Sequence, residues 1–596
     1  MCGIFCFVCK DTCPTSQTAL KTQCDEIRHR GPDDSQFYSN KEGTVHLGFH
    51  RLAINHPTPE GNQPMWVGED LVLVCNGEIY NHIELKTKYK LDYGDPEPKS
   101  DCEIILWLYL YFFSVYARAK TGSPEPHSTQ ELAAACAIKD VVHELNGVYA
   151  FVLYDKARGF VFATRDYPFG VRPLFMYTSQ HGPVPPSLGF ASEAKALVGL
   201  RPNGRVRQVE QNVVCMVNLN KNSNYFYTHL VKTRGFYHLQ YNLPQIAPGS
   251  IVGELGRLLR NAVHSRLMSD RPIGCFLSGG LDSSVVTAVT LKYLLEEKKI
   301  ASPAGLHTFS IGMEGGQSRD LECARAFASE LGTTHHEVHF TLAEGLSAIP
   351  DVIYTLESFD TTTVRASVPM YLLSRYISRE TDIKVLMSGE GADELFGGYL
   401  YLKSAPNGLS FDNERESLLQ KLMYYDLLRG DRTTAAHGLE IRVPLLEREF
   451  AKFVINLPAK ELQPFSKQEK WILREAAKGL VPDYIRLRQK DAFSDAVGHS
   501  WVDGLKAYFE KKTFQRNAQW EPRPRSNEEV FYRYVFEREF GGRGKDLLPY
   551  GFWHPKWVSE HTIDPSARVL VHYNTTASTA DTTNTTNNQI DERKKS

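Results

Sequence analysis

The sequence predicts two folded units of different class. The first is an antiparallel α+β unit over roughly residues 2–210; the second is a parallel-sheet α/β unit over roughly 246–573. Two patterns predict this division. The first part is dense in short alternating apolar runs flanked by turn residues, the mark of antiparallel strands. The second alternates short apolar strands with longer helical stretches, which calls for a parallel sheet with crossover helices. At 596 residues the chain is long enough for two or more domains.

In the first unit, Val72–Cys75, Tyr149–Tyr154 and Phe160–Thr164 read as strands, with Asn76-Gly77 and Asn146-Gly147 as turn signals beside them. The apolar run Ile104–Phe113 reads as a buried helix and is too short to cross a bilayer, which takes roughly 20 residues. The stretch 114–140, containing Thr121-Gly122-Ser123-Pro124-Glu125-Pro126, reads as a surface insertion, and 211–245 as a connection. In the second unit Ile273–Leu277, Thr308–Gly312 and Lys384–Ser388 read as strands. The Thr/Asn/Asp-rich end, 574–596, holds too few apolar residues to bury a core and is expected to be disordered.

Composition excludes several classes. Lys and Arg number 68 against 70 Asp and Glu, a net charge of −2 that argues against nucleic acid or an acidic membrane as partner. No spanning apolar run and no basic-then-apolar leader occur, so neither a membrane span nor secretion is expected. The odd number of cysteines, 11, fits reduced thiols and a cytoplasmic location. Cys6-x-x-Cys9 has zinc-finger spacing, but no second pair follows nearby, so no metal is expected there.

Three segments carry chemistry. The chain opens Met1-Cys2-Gly3-Ile4-Phe5, and removal of Met1 leaves Cys2 with a thiol and a free α-amine. An α-amine titrates at roughly 7.7–8.0, so an N-terminal Cys combines nucleophile and base. Ser278-Gly279-Gly280-Leu281-Asp282-Ser283-Ser284 joins a strand to a helix. Its glycines allow a tight loop whose N–H groups converge on one point, a phosphate nest without the Lys of the Walker loop. Ser388-Gly389-Glu390-Gly391-Ala392-Asp393-Glu394 follows another strand. Ligands of parallel sheets sit beyond the carboxyl ends of the strands, so both loops are expected at one crevice. Asp282 and Asp393 are then placed to share Mg²⁺. Arg365 can fork onto a carboxylate, and Lys470 can neutralise a phosphate.

Taken together, these segments resemble the glutamine-dependent asparagine synthetases over nearly the whole length except the insertion and tail. Arg28-His29-Arg30-Gly31-Pro32-Asp33, His50-Arg51-Leu52-Ala53-Ile54, Asn76-Gly77-Glu78-Ile79-Tyr80-Asn81 and Ser100-Asp101-Cys102-Glu103 stand in the order of class II glutamine amidotransferase domains. SGGLDSS resembles the pyrophosphate loop of the ATP pyrophosphatases. The resemblance implies an N-terminal nucleophile glutaminase fold, with antiparallel sheets sandwiched by helices, and an ATP-pyrophosphatase-type synthetase domain. It implies that Cys2 attacks the glutamine amide, with Asn76 and Gly77 as oxyanion hole. Arg51, Leu52, Ala53, Ile54, Asn55, Glu78 and Asp101 would line the glutamine pocket. Leu277, Ser278, Gly279, Gly280, Asp282, Ser283, Ile311, Ser388 and Gly389 would meet ATP, Arg365 would hold aspartate, Glu390 would act as acid–base group, and Lys470 would stabilise charge at the α-phosphate. His437–Pro444 and Phe493-Ser494-Asp495 are family-like without an assigned role. Glutamine, aspartate and ATP are the implied small-molecule substrates, with Mg²⁺, and a homodimer is the implied assembly.

Three alternatives stay open on the residues. A ring-closing ligase on the same scaffold is disfavoured by an intact Cys2 glutaminase. Other class II amidotransferases lack the SGGLDSS domain. A regulatory protein that binds nucleotide or amino acid without turnover would not need every chemical residue.

Overall fold

The computed structural model describes all residues except 11–12, 92–99, 120–125, 180–186, 201–203, 221–227, 233–249, 317, 463–467, 490–498 and 558–596. The expected tail and Phe493-Ser494-Asp495 therefore lie outside the described residues.

Two six-stranded antiparallel sheets form the first unit. In the first sheet the order is Arg205–Gln208, Phe175–Thr178, Ser187–Ala191, Gly3–Cys9, Val45–Arg51, Asp34–Ser39. In the second it is Thr228–Lys232, Val213–Asn218, Phe160–Arg165, Gly147–Asp155, Leu71–Ile79, Met65–Val67. Strand period decides the layering. Ile4, Cys6 and Val8 point inward and meet Val72, Val74 and Val152 of the facing sheet. Phe5, Phe7 and Cys9 point the other way, onto Leu20 and Cys24 of the helix Gln17–Asp25. The outer face of the second sheet, with Leu73 and Phe151, is covered by the helices Ile104–Ala119 and Pro126–Glu144. Every residue of Gly3–Cys9 is buried, and each large apolar side chain there contributes about 1.5–3 kcal/mol.

The antiparallel α+β expectation is met, with three differences of detail. Asn76-Gly77 is not a turn but runs inside a strand, Asn76 opposite Ala150 and Gly77 opposite Tyr149. The glycine serves close approach instead, since a Cβ there would stand 2.1 Å from Val148 O. Of the stretch 114–140, expected as a surface insertion, the described part is helical, and its end is packed rather than superficial: Ala133, Ala134, Ala137 and Ile138 are buried in the helical layer. Finally, 211–245 supplies the two strands Val213–Asn218 and Thr228–Lys232, which extend the second sheet beyond residue 210.

The second unit carries a five-stranded parallel sheet in the order Thr334–Phe340, His307–Met313, Ile273–Phe276, Val385–Met387, Glu440–Arg442. From Ile273–Phe276 the chain first winds outward one way, then returns to add Val385–Met387 on the other side. The gap between those neighbours is a topological switch point, where crevices open in such sheets. Both glycine loops leave the sheet there. No helix among the described residues is long and apolar enough to cross a membrane.

Candidate active sites

The first site gathers at the start of Gly3–Cys9. The Leu52 N–H donates to Cys2 Sγ at 3.4 Å, and the thiol faces Leu52 O at 3.7 Å. Arg30 Nε donates to Cys2 O at 3.0 Å. With Met1 attached, burial pushes the Cys2 thiol up to about 11 and the Met1 amine down to about 6. Asn76 is fully buried, and neither Nδ2 nor Oδ1 has a hydrogen-bond partner among the described residues. Leaving such a group unpaired costs about 1–3 kcal/mol, so the amide is kept open to a further hydrogen-bond partner.

The remaining predicted pocket residues surround this point. Glu78 accepts from Asn55 Nδ2 and lies 3.7 Å from Arg442 Nη2. Burial, then Asp101 and Glu440, raise its carboxyl well above the usual range. Asp101 accepts from the Ile79 N–H at 2.6 Å, and burial raises it too. Arg51 is spent on its own loop: Nη1 donates to Thr58 O at 2.6 Å and Asn62 Oδ1 at 2.5 Å, Nη2 to His56 O at 2.5 Å. The segment Leu52–Asn55 is pinned from both units, by Ala53 N–H to Asp33 Oδ2 at 2.8 Å and by Arg271 Nε to Ala53 O at 2.9 Å.

The second site is a cavity of about 460 Å³ at the switch point. It is lined by Leu277, Ser278, Gly280, Asp282, Ser283, Ile311, Arg365, Ser388, Gly389, Glu390, Asp393 and Lys470. Gly279 is not among its lining residues but shapes the loop: φ is +74° and a Cβ would meet Asp320 O at 2.3 Å. The hydroxyls of Ser278 and Ser283 close the loop at 3.0 Å. The helix Leu281–Glu296 starts without a side-chain cap, so its first N–H groups stay open to an anion. The two loops touch, because a Cβ on Gly389 would stand 2.7 Å from Ser283 N.

Lys470 Nζ lies between the two aspartates, 2.6 Å from Asp282 Oδ2 and 2.6 Å from Asp393 Oδ1. Its φ of +56° is a left-handed conformation that costs a non-glycine residue about 1–2 kcal/mol, and such strain concentrates at functional sites. Asp282 Oδ1 is buried without a hydrogen-bond partner, an acceptor that suits a hard cation. Arg365 reaches the cavity wall, but Glu528 fills its fork at 2.8 and 2.6 Å. Glu390 lies 2.9 Å from Arg429 Nη2.

Sequence reasoning missed several of these groups. Arg429 also holds Asp426 at 2.9 Å, and Glu394, pushed up to about 8 by burial with Asp426 and Asp393 beside it, accepts from Tyr399 OH. Glu528 arrives from the helix Asn527–Phe540, more than a hundred residues after the glycine loops. No local motif marks any of them; only the fold brings them to the cavity.

Between the sites lies a buried ionic seam. Arg30, fully buried, bonds Glu193 at 2.7 Å in its own unit and Asp431 at 2.8 Å in the other. Arg432 reaches back to Glu193 at 2.8 Å, and Arg172 to Glu440 at 3.1 Å. One apolar cluster also runs across the seam, from Met1, Leu52, Ile54 and Val171 to Val443, Leu445, Leu395 and Ala392.

The comparisons agree with this two-site architecture. The family model for the glutamine amidotransferase domain matches residues 1–114 and 132–242, and that for asparagine synthase matches 254–417 and 404–561. The glutamine-hydrolysing asparagine synthetase of Homo sapiens is 40% identical over 618 residues, covering 96% of this chain and 99% of that protein. Its counterpart in Mus musculus is 40% identical over 608 residues, covering 97% of this chain and 100% of that protein. The one in Gallus gallus is 38% identical over 608 residues, covering 96% and 99%. With both domains matched and near-full-length relatives at this identity, the chain belongs to the glutamine-hydrolysing asparagine synthetase family.

Proposed function

We propose that the protein makes L-asparagine from L-aspartate and ATP, taking the amide nitrogen from glutamine and releasing glutamate, AMP and pyrophosphate. The observation that carries this reading is one chain holding two sites: a half-buried Cys2 thiol in the same unit as a buried, unpartnered Asn76 amide, and a cavity at the switch point of a phosphate-nest sheet. Incubation with ATP, Mg²⁺, aspartate and amide-¹⁵N-glutamine tests it. Labelled asparagine with AMP is the expected product by mass spectrometry; glutamate and AMP without asparagine would mean another acceptor.

Removal of Met1 exposes the Cys2 amine, which takes the thiol proton as the sulfur attacks the glutamine amide. The Asn76 side chain and Gly77 N–H receive the oxyanion. Replacing Asn76 with alanine is expected to cut the glutaminase kcat by roughly 10²–10³-fold. Thermal stability should change little, since the native amide has no bond to lose. A large fall in melting temperature would show that the residue is structural. Glu78 and Asp101 face the substrate α-amine, and Arg51 contacts the carboxylate by exchanging some of its loop carbonyls.

In the synthetase site the aspartate β-carboxylate attacks the α-phosphorus and pyrophosphate leaves, giving a β-aspartyl-AMP. Two anions approach each other, so the open N–H groups of SGGLDSS and the Lys470 ammonium stabilise the charge that builds up. Asp282 and Asp393 are the residues to hold Mg²⁺, whose contribution is to neutralise phosphate oxygens. Arg365 holds aspartate once Glu528 yields its fork. Glu390, steadied by Arg429, takes the proton as ammonia attacks. Ammonia in neutral water is mostly ammonium, and the apolar cluster across the seam supports an internal route that keeps it unprotonated. The strand pairing supports a first unit that continues through residue 232.

A further inference from the structure

Ten of the eleven cysteines lie outside the reaction. Two of them face each other at the far end of the strand that carries Cys2. Cys9 closes Gly3–Cys9, Cys13 follows four residues later, and their Sγ atoms are 2.6 Å apart. Their exposures differ: Cys9 is buried, whereas Cys13 is half-buried and reaches solvent. Cys75 and Cys102 also neighbour each other, but both are buried and out of reach of a solute.

A hydrogen bond with Cys9, and to a lesser degree His46, draws the Cys13 thiol below its ordinary value despite burial acting the other way. A solvent-reaching thiol of lowered pKa with a second thiol in reach is the arrangement of a peroxide-sensitive dithiol. The two sulfurs already stand 2.6 Å apart, against about 2.05 Å in a disulfide, while the Cys9 N–H is fixed to Thr44 O at 2.8 Å.

We propose that Cys9 and Cys13 form a reversible redox pair that hydroperoxides oxidise to an intrachain disulfide, independently of Cys2. The Cys13 thiolate attacks one peroxide oxygen and the O–O bond breaks, leaving a sulfenic acid. The departing oxygen takes up a proton. Cys9 then attacks the Cys13 sulfur, the S–O bond breaks, and hydroxide leaves with the Cys9 proton as water. The two thiols lose two electrons and the hydroperoxide gains them; a small thiol reverses the step by exchange. Along the strand, Cys2 lies roughly 20 Å away, so the nucleophile is not a partner in this chemistry.

The test uses the full-length protein in a Cys2→Ala background, so that the nucleophile cannot contribute. Substoichiometric hydrogen peroxide should remove two hydrogens from the intact mass, and dithiothreitol should restore them. Trypsin cuts after Lys10, between the two cysteines, so the disulfide should carry residues 1–10 and 11–21 as one linked species. Fragment ions should assign the link to Cys9 and Cys13 rather than Cys6. Adding Cys13→Ser should abolish the link, and adding Cys136→Ala should leave it intact. The proposal is overturned if the link joins other cysteines, or if Cys13 only accumulates oxygen while Cys9 stays free.

Discussion

Replacing Cys2 with alanine is expected to abolish glutamine-supported asparagine formation, by roughly a thousandfold or more, while ammonia-supported formation continues. The sulfur is the only atom at that position able to form a bond to the amide carbon, and no neighbouring thiol can substitute. The Leu52 N–H meets Cys2 Sγ at 3.4 Å and the Glu78 carboxylate acts on the same thiol, whereas Cys6 points into the core between the sheets. The synthetase cavity is lined entirely by the second unit, so free ammonia reaches the activated aspartate without Cys2. Asparagine formation from both nitrogen sources, measured at saturating ATP and aspartate, reads the difference. Equal loss from both would refute separate sites.

Replacing Lys470 with alanine is expected to lower AMP and pyrophosphate formation by roughly 10²–10³-fold while glutamine hydrolysis persists. Two effects combine. The ammonium that opposes the negative charge of the pentacoordinate phosphorus is lost. The carboxylates of Asp282 and Asp393, each 2.6 Å from Nζ, lose their shared counter-charge and repel both each other and the incoming phosphates. Pyrophosphate release and glutamate release, measured on one preparation, separate this from unfolding, since a misfolded protein would lose both. Unchanged pyrophosphate release would remove Lys470 from the chemistry.

Much of this was legible in the chain. Strands with period-two apolar spacing, such as Tyr149–Tyr154, announce themselves because each buries one or both faces in a sandwich. The glycine loops were legible because their backbone geometry admits little else: Gly279 and Gly389 sit where a Cβ would overlap backbone. Asn76-Gly77 misled for the same reason, since close packing against Val148 and a hairpin turn ask for the same residue. Arg429, Glu394 and Glu528 were not legible, because a lone charge acquires its meaning only from partners distant in sequence. Arg365 was found but not its occupant. Its fork matched a carboxylate, and the carboxylate in the structure is Glu528 of the chain itself.

The ionic seam sets a limit on modularity. Arg30 takes its two carboxylates from opposite units, and Glu193 takes Arg432 across the same boundary. A half expressed by itself would uncover Asp431, Arg432 or Arg30 without the charge each was built against, surrounded by apolar surface that also lost its cover. The glutaminase half therefore cannot be exchanged like a cassette for that of another amidotransferase. A working chimera would have to carry its partner's seam residues along with it, and the two halves are bound to diversify together.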